Sequence, residues 1–300
     1  MYIKPFIKWV GGKTQIIDTV MNNFPNEINN YHELFLGGGS VLLALLQNIE
    51  ENKIKLTGTI NAYDINKTLI YVYKNIQIKP DKVIKNLKKI IKTYNKITGD
   101  IIKRKPNNRD EGLSSQESYY YYIRKQYNLL NKTQKKSSLG SAYFIFLNKT
   151  CFRGVYREGP NGFNVPFGHY NNPEIINESH IYNISKLIQN VNFYCKSFEK
   201  VFIDINENND FIYLDPPYAP ENTKSFVGYT ADGFNLEKHK LLFTQCKKYK
   251  FLMSNADVDL VKEHFVILEH NYTIKTILCK RSINSINPSS KTNEVLIKNY

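Results

Sequence analysis

The sequence predicts an α/β fold: a mostly parallel sheet, finished by an antiparallel hairpin and interrupted by a helical segment. Three observations carry this. Phe211-Ile212-Tyr213-Leu214 is a short apolar run ending in Asp215-Pro216-Pro217-Tyr218, the pattern of a strand buried on both faces that stops abruptly. His32 to Leu36 leads through Gly37-Gly38-Gly39-Ser40 into Val41, Leu42, Leu45 and Leu46, the order strand, glycine loop, helix. Between residues 76 and 174 this alternation gives way to helical periodicity, and after 175 it returns.

Taken in order, the chain opens with Pro5-Phe6-Ile7-Lys8-Trp9-Val10-Gly11-Gly12-Lys13, its one Trp lying between two lysines. The glycine pair lets backbone approach a ligand before a helix through Ile16, Ile17 and Val20, and Lys8 and Lys13 are expected at that helix's N-terminus, where anions are welcome. A lone Trp is nevertheless more often core than ligand platform. After the glycine loop, Thr59 to Tyr63 reads as a strand ending in Asp64. An acid there is placed to bond a ribose, or else to cap the helix beginning near Lys67.

From Lys79, the apolar residues Val83, Leu87, Ile90, Ile91 and Tyr94 share one helical face, and Lys82, Lys85, Lys88, Lys89 and Lys92 the other, which reads as a solvated face. Ser114-x-x-Glu117 reads as a capping box opening a helix through Tyr119 to Leu130, and Ser138 to Leu147 as a third helix. Four consecutive tyrosines, Tyr119 to Tyr122, must point in different directions on a helix, so most are packing residues. Gly159-Pro160-Asn161-Gly162 marks the tip of a hairpin. Around it, Arg153, Arg157 and Asn164 are side chains able to read guanine and adenine edges, and Lys149 suits a phosphate; the alternative is a surface hairpin whose arginines pair with Glu158 or solvent.

Beyond residue 175, Val191 to Cys195 reads as a strand and Phe198 to Ile203 as a turn or short helix. The Asp215 strand follows, then an aperiodic loop from Ala219 to Phe234 suited to closing over a substrate. Leu236 to Tyr249 is expected as helix, Lys250 to Ser254 as strand and Val258 to His264 as helix. Tyr272 to Cys279 and Asn293 to Ile297 are the strands of the closing hairpin.

Three hundred residues with a formal net charge of +14 suggest a polyanionic partner. That signal is discounted, because a chain rich in Asn, Ile and Tyr has the composition of A/T-rich coding. Four widely spaced cysteines without a C-x-x-C, and histidines without H-x-H or H-E-x-x-H, indicate neither a disulfide framework nor a metal site. No signal-peptide core or transmembrane run is read, so a soluble intracellular protein is expected.

The Asp215 stretch suits a flat ring bearing an exocyclic amine. Its carboxylate accepts one N–H, a backbone carbonyl freed by the prolines accepts the other, and Tyr218 offers a stacking face. A solvent-exposed Asp-Pro turn is the competing reading.

Jointly, Phe6-Ile7-Lys8-Trp9-x-Gly-Gly-Lys13, Glu33-x-Phe35-x-Gly37-x-Gly39-Ser40, Asp64-Ile65-Asn66, Phe163-Asn164-Val165-Pro166-Phe167-Gly168 and Asp215-Pro216-Pro217-Tyr218-Ala219-Pro220 resemble the motifs of the Dam-type, D12-class (alpha group) DNA N6-adenine methyltransferases. They occur in that family's order over nearly the whole chain. The resemblance implies a Rossmann-like S-adenosylmethionine-dependent methyltransferase domain of residues 1–75 and 175–300, and a helical target-recognition domain with a β-hairpin at 76–174. It also implies that Trp9, Lys13, Phe35, Gly37, Gly39, Ser40, Asp64 and Asp215 hold S-adenosyl-L-methionine, with Asp64 on its ribose and Ser197 and Phe198 beside its adenine. Asp215, Pro216, Pro217 and Tyr218 would be catalytic, and Arg157 matches the family's base-reading arginine in the hairpin; with Lys149, Arg153 and Asn164, read above from their chemistry, it makes up the set expected to bind double-stranded DNA. Arg153 departs from the Asn that the GATC methylases favour, so a GATC site is not carried over.

Cytosine C5 methylation needs a Pro-Cys nucleophile, and none of the four cysteines follows a proline; direct transfer to an amine without a covalent enzyme intermediate is therefore expected. No metal is expected. An RNA adenine or protein glutamine methyltransferase is the alternative, although those resemble Asn-Pro-Pro-Tyr, and an inactive DNA-binding homologue is a second. A cognate restriction endonuclease is a candidate partner, residence with the DNA in cytoplasm or nucleoid is expected, a viral origin stays open, and the residues leave monomer and homodimer equally open.

Overall fold

The computed structural model describes residues 1–206, 210–220, 233–265, 272–280 and 291–300. Most of the two loops at 219–234 and 281–292 lies outside the described residues. Among them the strands run, in chain order, β1 (Glu27–Ile28), β2 (Asn30–Glu33), β3 (Lys55–Leu56), β4 (Ile60–Asp64), β5 (Glu158–Gly159), β6 (Gly162–Phe163), β7 (Val191–Cys195), β8 (Asp210–Leu214), β9 (Lys250–Ala256), β10 (Thr273–Lys280) and β11 (Lys291–Lys298).

Two compact units form: residues 1–3, 13–65 and 190–300, and residues 4–12 and 66–189. The boundaries differ from the expected 75/76 and 174/175. Helices Lys67–Ile78 and Glu178–Leu187 pack with each other and belong to the second unit. Their own sequences carry no break in composition, since the visible change at Lys79 is where the solvated lysine face begins. Residues 4–12 join this unit because the Asn148 side chain accepts the Lys8 N–H at 2.8 Å and donates back to the Lys8 carbonyl at 2.8 Å.

In the first unit a seven-stranded sheet runs β10-β11-β9-β8-β2-β4-β7. The five strands from β9 to β7 are mutually parallel, and β11 and β10 are antiparallel, so the terminal hairpin caps one edge as expected. Strand β8 is central and buried at every residue, which is why Phe211 to Leu214 are continuously apolar rather than alternating. Ile212, Leu214, Phe243, Phe251, Met253, Phe265 and Val295 share one core cluster, each large side chain contributing about 1.5–3 kcal/mol of burial. The parallel strands put all their carboxyl ends, including those of β2, β4 and β8, on one edge.

In the second unit, helix Lys67–Ile78 is capped by the Asn66 side chain on the Leu69 N–H. Helix Pro80–Lys96 starts on proline and buries Val83, Ile84, Leu87, Ile90 and Tyr94 while Lys82, Lys85, Lys88, Lys89 and Lys92 are exposed, the amphipathic pattern expected. Helix Gln116–Leu129 begins one residue later than its expected box. Ser115, not Ser114, is the cap, accepting from the Ser118 N–H. Ser114 instead donates to the Ile101 and Glu111 carbonyls, and Glu117 accepts from the Arg104 guanidinium. Tyr119, Tyr120 and Tyr121 are buried. Helix Ser138–Thr150 follows, then β5 and β6 pair antiparallel around the Gly159 to Gly162 turn.

Candidate active site

The first unit builds its site where β8 ends. Asp215 lies one residue past Leu214, four-fifths shielded, and its Oδ1 is 2.8 Å from the Lys13 ammonium. Lys13 is therefore a buried ion-pair partner, 4% exposed, and not a free cation at a helix terminus. The segment after Gly12 is a 3-10 turn, Lys13–Gln15, followed by the short helix Ile17–Met21. Burial pushes the Asp215 carboxyl up to about 6, against the pull of Lys13 and with a further push from Glu294.

Around Asp215 the backbone is fixed from several sides. The His239 ring nitrogen Nε2 lies 3.1 Å from the Pro217 carbonyl, and the Ala219 N–H donates to Asn255 Oδ1 at 3.2 Å. Among the described residues no donor reaches the Pro216 carbonyl. The Lys13 ammonium sits 4.9 Å from the centre of the Tyr218 ring, and the Tyr218 hydroxyl donates to Glu294 Oε2 at 2.7 Å. Burial and the carboxylates of Asp215 and Glu294 hold the Tyr218 phenol well above its ordinary range, so it remains a donor.

On the same edge, Gly37 and Gly39 have φ of 49° and 72°, a left-handed backbone that favours glycine. The Gly37 N–H donates to Asp64 Oδ2 at 3.0 Å. Asp64 thus faces the glycine loop, and the alternative of a helix cap is taken by Asn66. The Ser40 hydroxyl accepts the Lys13 N–H at 3.0 Å, which ties the ion-pair lysine to the helix after the loop. Phe35 is half-buried against Phe198 and Phe234, each at 5.9 Å between ring centres.

Glu33, at the end of β2, is 2% exposed and accepts from the Tyr31 hydroxyl at 2.7 Å. Burial raises its carboxyl to about 8, helped by Asp215 and Asp64 and opposed by Tyr31. Glu33, Phe234, His239 and Glu294 were not singled out as site residues by sequence. Glu33 stands within a recognised motif, but nothing in the residues around the other three signals the edge they reach.

A cavity of about 400 Å³ in this unit is lined by polar side chains including His32, Asn61 and Asp210. Several pair with one another, Asn30 to Asp210 at 2.8 Å and Asn192 to Asn61 at 3.2 Å, whereas His32 Nε2, 3.3 Å from Asp210 Oδ2, has no hydrogen-bond partner among the described residues. Among the described residues no cluster of three metal-ligating side chains occurs.

The second unit holds the remaining expected residues. Trp9 is half-buried and stacks on Tyr156, ring centres 5.7 Å apart. Lys149 is half-buried near the end of helix Ser138–Thr150, where burial and the charge of Lys8 lower its pKa. Arg153 is exposed, with a left-handed φ of 55° and its guanidinium 5.2 Å from the Phe152 ring centre. Gly154 has no room for a side chain, since a Cβ would come within 2.3 Å of Lys8. The register of β5 and β6 brings Arg157 and Asn164 together. The Asn164 N–H donates to the Arg157 carbonyl at 3.1 Å, and Arg157 Nε donates to Asn164 Oδ1 at 2.7 Å. Arg157 is thus paired with Asn164, and Glu158 bonds Tyr156.

A parallel α/β sheet with a glycine loop, an acid ending the next strand and an Asp-Pro-Pro-Tyr turn on one edge is of the methyltransferase class. The family model for D12 class N6 adenine-specific DNA methyltransferases matches residues 9–283, and the chain belongs to that family. It is 37% identical to the type II methyltransferase M.MjaIII of Methanocaldococcus jannaschii, covering 100% of both chains. It is 30% identical to the type II methyltransferase M.CviBI of Paramecium bursaria Chlorella virus NC1A, over 99% of this chain and 100% of that one. It is also 29% identical to the DNA adenine methylase of Haemophilus influenzae, over 96% and 90%. Its activity is DNA adenine methylation. Among the described residues no helix is long and apolar enough to cross a membrane.

Proposed function

We propose that the chain methylates N6 of an adenine extruded from a specific sequence in duplex DNA, with Asp215, Pro216, Pro217 and Tyr218 as the clamp on the base. The observation that carries this is the Asp215 carboxylate, shielded at the end of β8, with Oδ1 on Lys13 at 2.8 Å and the Tyr218 ring beside it. Lys13 keeps the carboxylate ionised nearer neutral pH and leaves Oδ2 to accept one N–H of the amine. The Pro216 carbonyl takes the other. Two acceptors draw the nitrogen lone pair out of the ring, and the proton released on methylation passes to solvent with Asp215 as its nearest acceptor. Extruding the base costs a few kcal/mol; stacking on Tyr218, about 1–3 kcal/mol, offsets much of it.

The residues fit S-adenosylmethionine as donor: a left-handed glycine loop, the Asp64 carboxylate facing it, and an aromatic patch at Phe35 and Phe198. When bound, that cofactor supplies a sulfonium methyl group. Gly37, Gly39 and Ser40 would cradle it, Asp64 would bond its ribose, Phe35 would pack on its adenine, and Lys13 and Asp215 would complete the set. The unit of residues 4–12 and 66–189 is assigned DNA recognition, with Arg153, Arg157 and Asn164 reading bases and Lys149 contacting phosphate. A cognate restriction endonuclease is the proposed partner, in keeping with relatives named type II methyltransferases, and the place of action is wherever that DNA lies within the cell.

Tritium from labelled cofactor, counted into duplex DNA, RNA and protein, tests the reading: label is expected in DNA adenine alone. Label in RNA or protein would overturn it. Methylation-sensitive sequencing of DNA from expressing cells then gives the recognition site.

A further inference from the structure

We infer that Glu294 is a positioning residue for Tyr218: its carboxylate takes the phenol hydroxyl and fixes the ring in the orientation that receives the extruded base. The inference rests on the reading of Asp215 to Tyr218 as the adenine clamp. Strand topology brings the two residues together. β11 runs antiparallel to β9 with Glu294 opposite Ala256, and β9 runs parallel to β8 with Met253 opposite Leu214. Glu294 therefore stands past the end of β8, on the carboxyl edge of the sheet, although it lies 76 residues from Tyr218 in sequence.

The backbone on either side of Tyr218 is already held. Pro216 and Pro217 fix their own φ, His239 braces the Pro217 carbonyl, and Asn255 takes the Ala219 N–H. What remains free is the side chain, whose second torsion is broad for an aromatic residue. The Lys13 ammonium restrains one face of the ring at 4.9 Å, and the 2.7 Å bond to Glu294 restrains its tip. Such a bond to a charged acceptor is among the stronger ones a side chain makes. The terminal hairpin is then a working wall of the site as well as a cap on the sheet.

The test compares Glu294→Leu, Glu294→Gln and Tyr218→Phe in the full-length protein, with cofactor affinity measured by calorimetry to show that each variant is folded. Glu294→Leu and Tyr218→Phe each lose one partner of the same bond, so each should lower kcat about tenfold at the alkaline plateau. Their double variant should be no slower than either, and the fluorescence rise of 2-aminopurine at the target position should be reduced alike in all three. Glu294→Gln keeps an acceptor and should stay within about threefold of the parent, while losing the charge that raises the Asp215 carboxyl; its acid limb should move to lower pH. An unchanged kcat in Glu294→Leu, or losses that multiply in the double variant, would overturn the inference. Tyr218→Ala serves as the control for the underlying reading: if it methylates normally, the clamp itself is wrong, whereas an inactive control beside a fully active Glu294→Leu rejects only the role of Glu294.

Discussion

The carboxyl edge of the sheet and the loop after Thr150 handle charge in opposite ways. At the edge, Lys13 and Asp215 are shielded and paired, and Tyr218 is held by Glu294. In the loop, Arg153, Arg157 and Asn164 are exposed, and the bond between Arg157 and Asn164 joins two neighbours across a short hairpin. Preorganised groups in a shielded site interact strongly and need little rearrangement as charge develops. Side chains that read base edges must instead be reachable, and a local bond among them can be exchanged for one to a base. Under the proposed roles, one chain separates the rigidity needed for chemistry from the accessibility needed for recognition.

The largest effect expected from breaking this contrast is at the edge. Asp215→Ala should lower kcat about a thousandfold, the scale of losing a preorganised electrostatic contact, with cognate and random DNA bound as before. Retained methylation would remove Asp215 from the mechanism. At the hairpin, Arg157→Ala should cost about 1–3 kcal/mol in preference for the cognate site while leaving kcat on saturating DNA nearly intact. Equal loss of affinity for cognate and random DNA would count against base reading.

A subtler probe of the edge is pH. In the proposed mechanism Asp215 acts as carboxylate, and its carboxyl is raised to about 6, so kcat/KM should rise with pH through an acid limb near that value. Lys13 lowers this carboxyl, so Lys13→Met should move the limb to higher pH as well as slow the enzyme; a stationary limb would mean that another group titrates. The smallest effect is expected at Lys149→Ala. It should weaken all DNA similarly and flatten the slope of log affinity against log salt by about one, with no change in the choice of site.

Much of this protein is legible in its residues alone. The continuous apolar run of β8 and the two prolines after it fixed where Asp215 would stand, because the buried strand and the proline geometry are local properties. The glycine loop before helix Ser40–Glu50 and the acid ending β4 were readable for the same reason. The lysine face of helix Pro80–Lys96 and the hairpin at Gly159 followed from period and turn chemistry. The unit boundaries were less legible: helix Lys67–Ile78 looks no different from its neighbours until its packing partners are known. Ser115 displaced Ser114 as a cap because both are serines, and only backbone geometry selects between them.

What tertiary structure alone decided is how distant charges meet. Strand β8 inserts between β2 and β9, and β11 returns antiparallel beside β9, so Lys13, Glu33, Asp215 and Glu294 gather on one shielded edge from opposite ends of the chain. Period and propensity specify a residue's own backbone and face, but strand order is set by the burial of the whole sheet. For that reason the Asp-Pro-Pro-Tyr turn could be read in sequence as a place for chemistry, whereas the pairing of Lys13 with Asp215 and of Glu294 with Tyr218 required the fold.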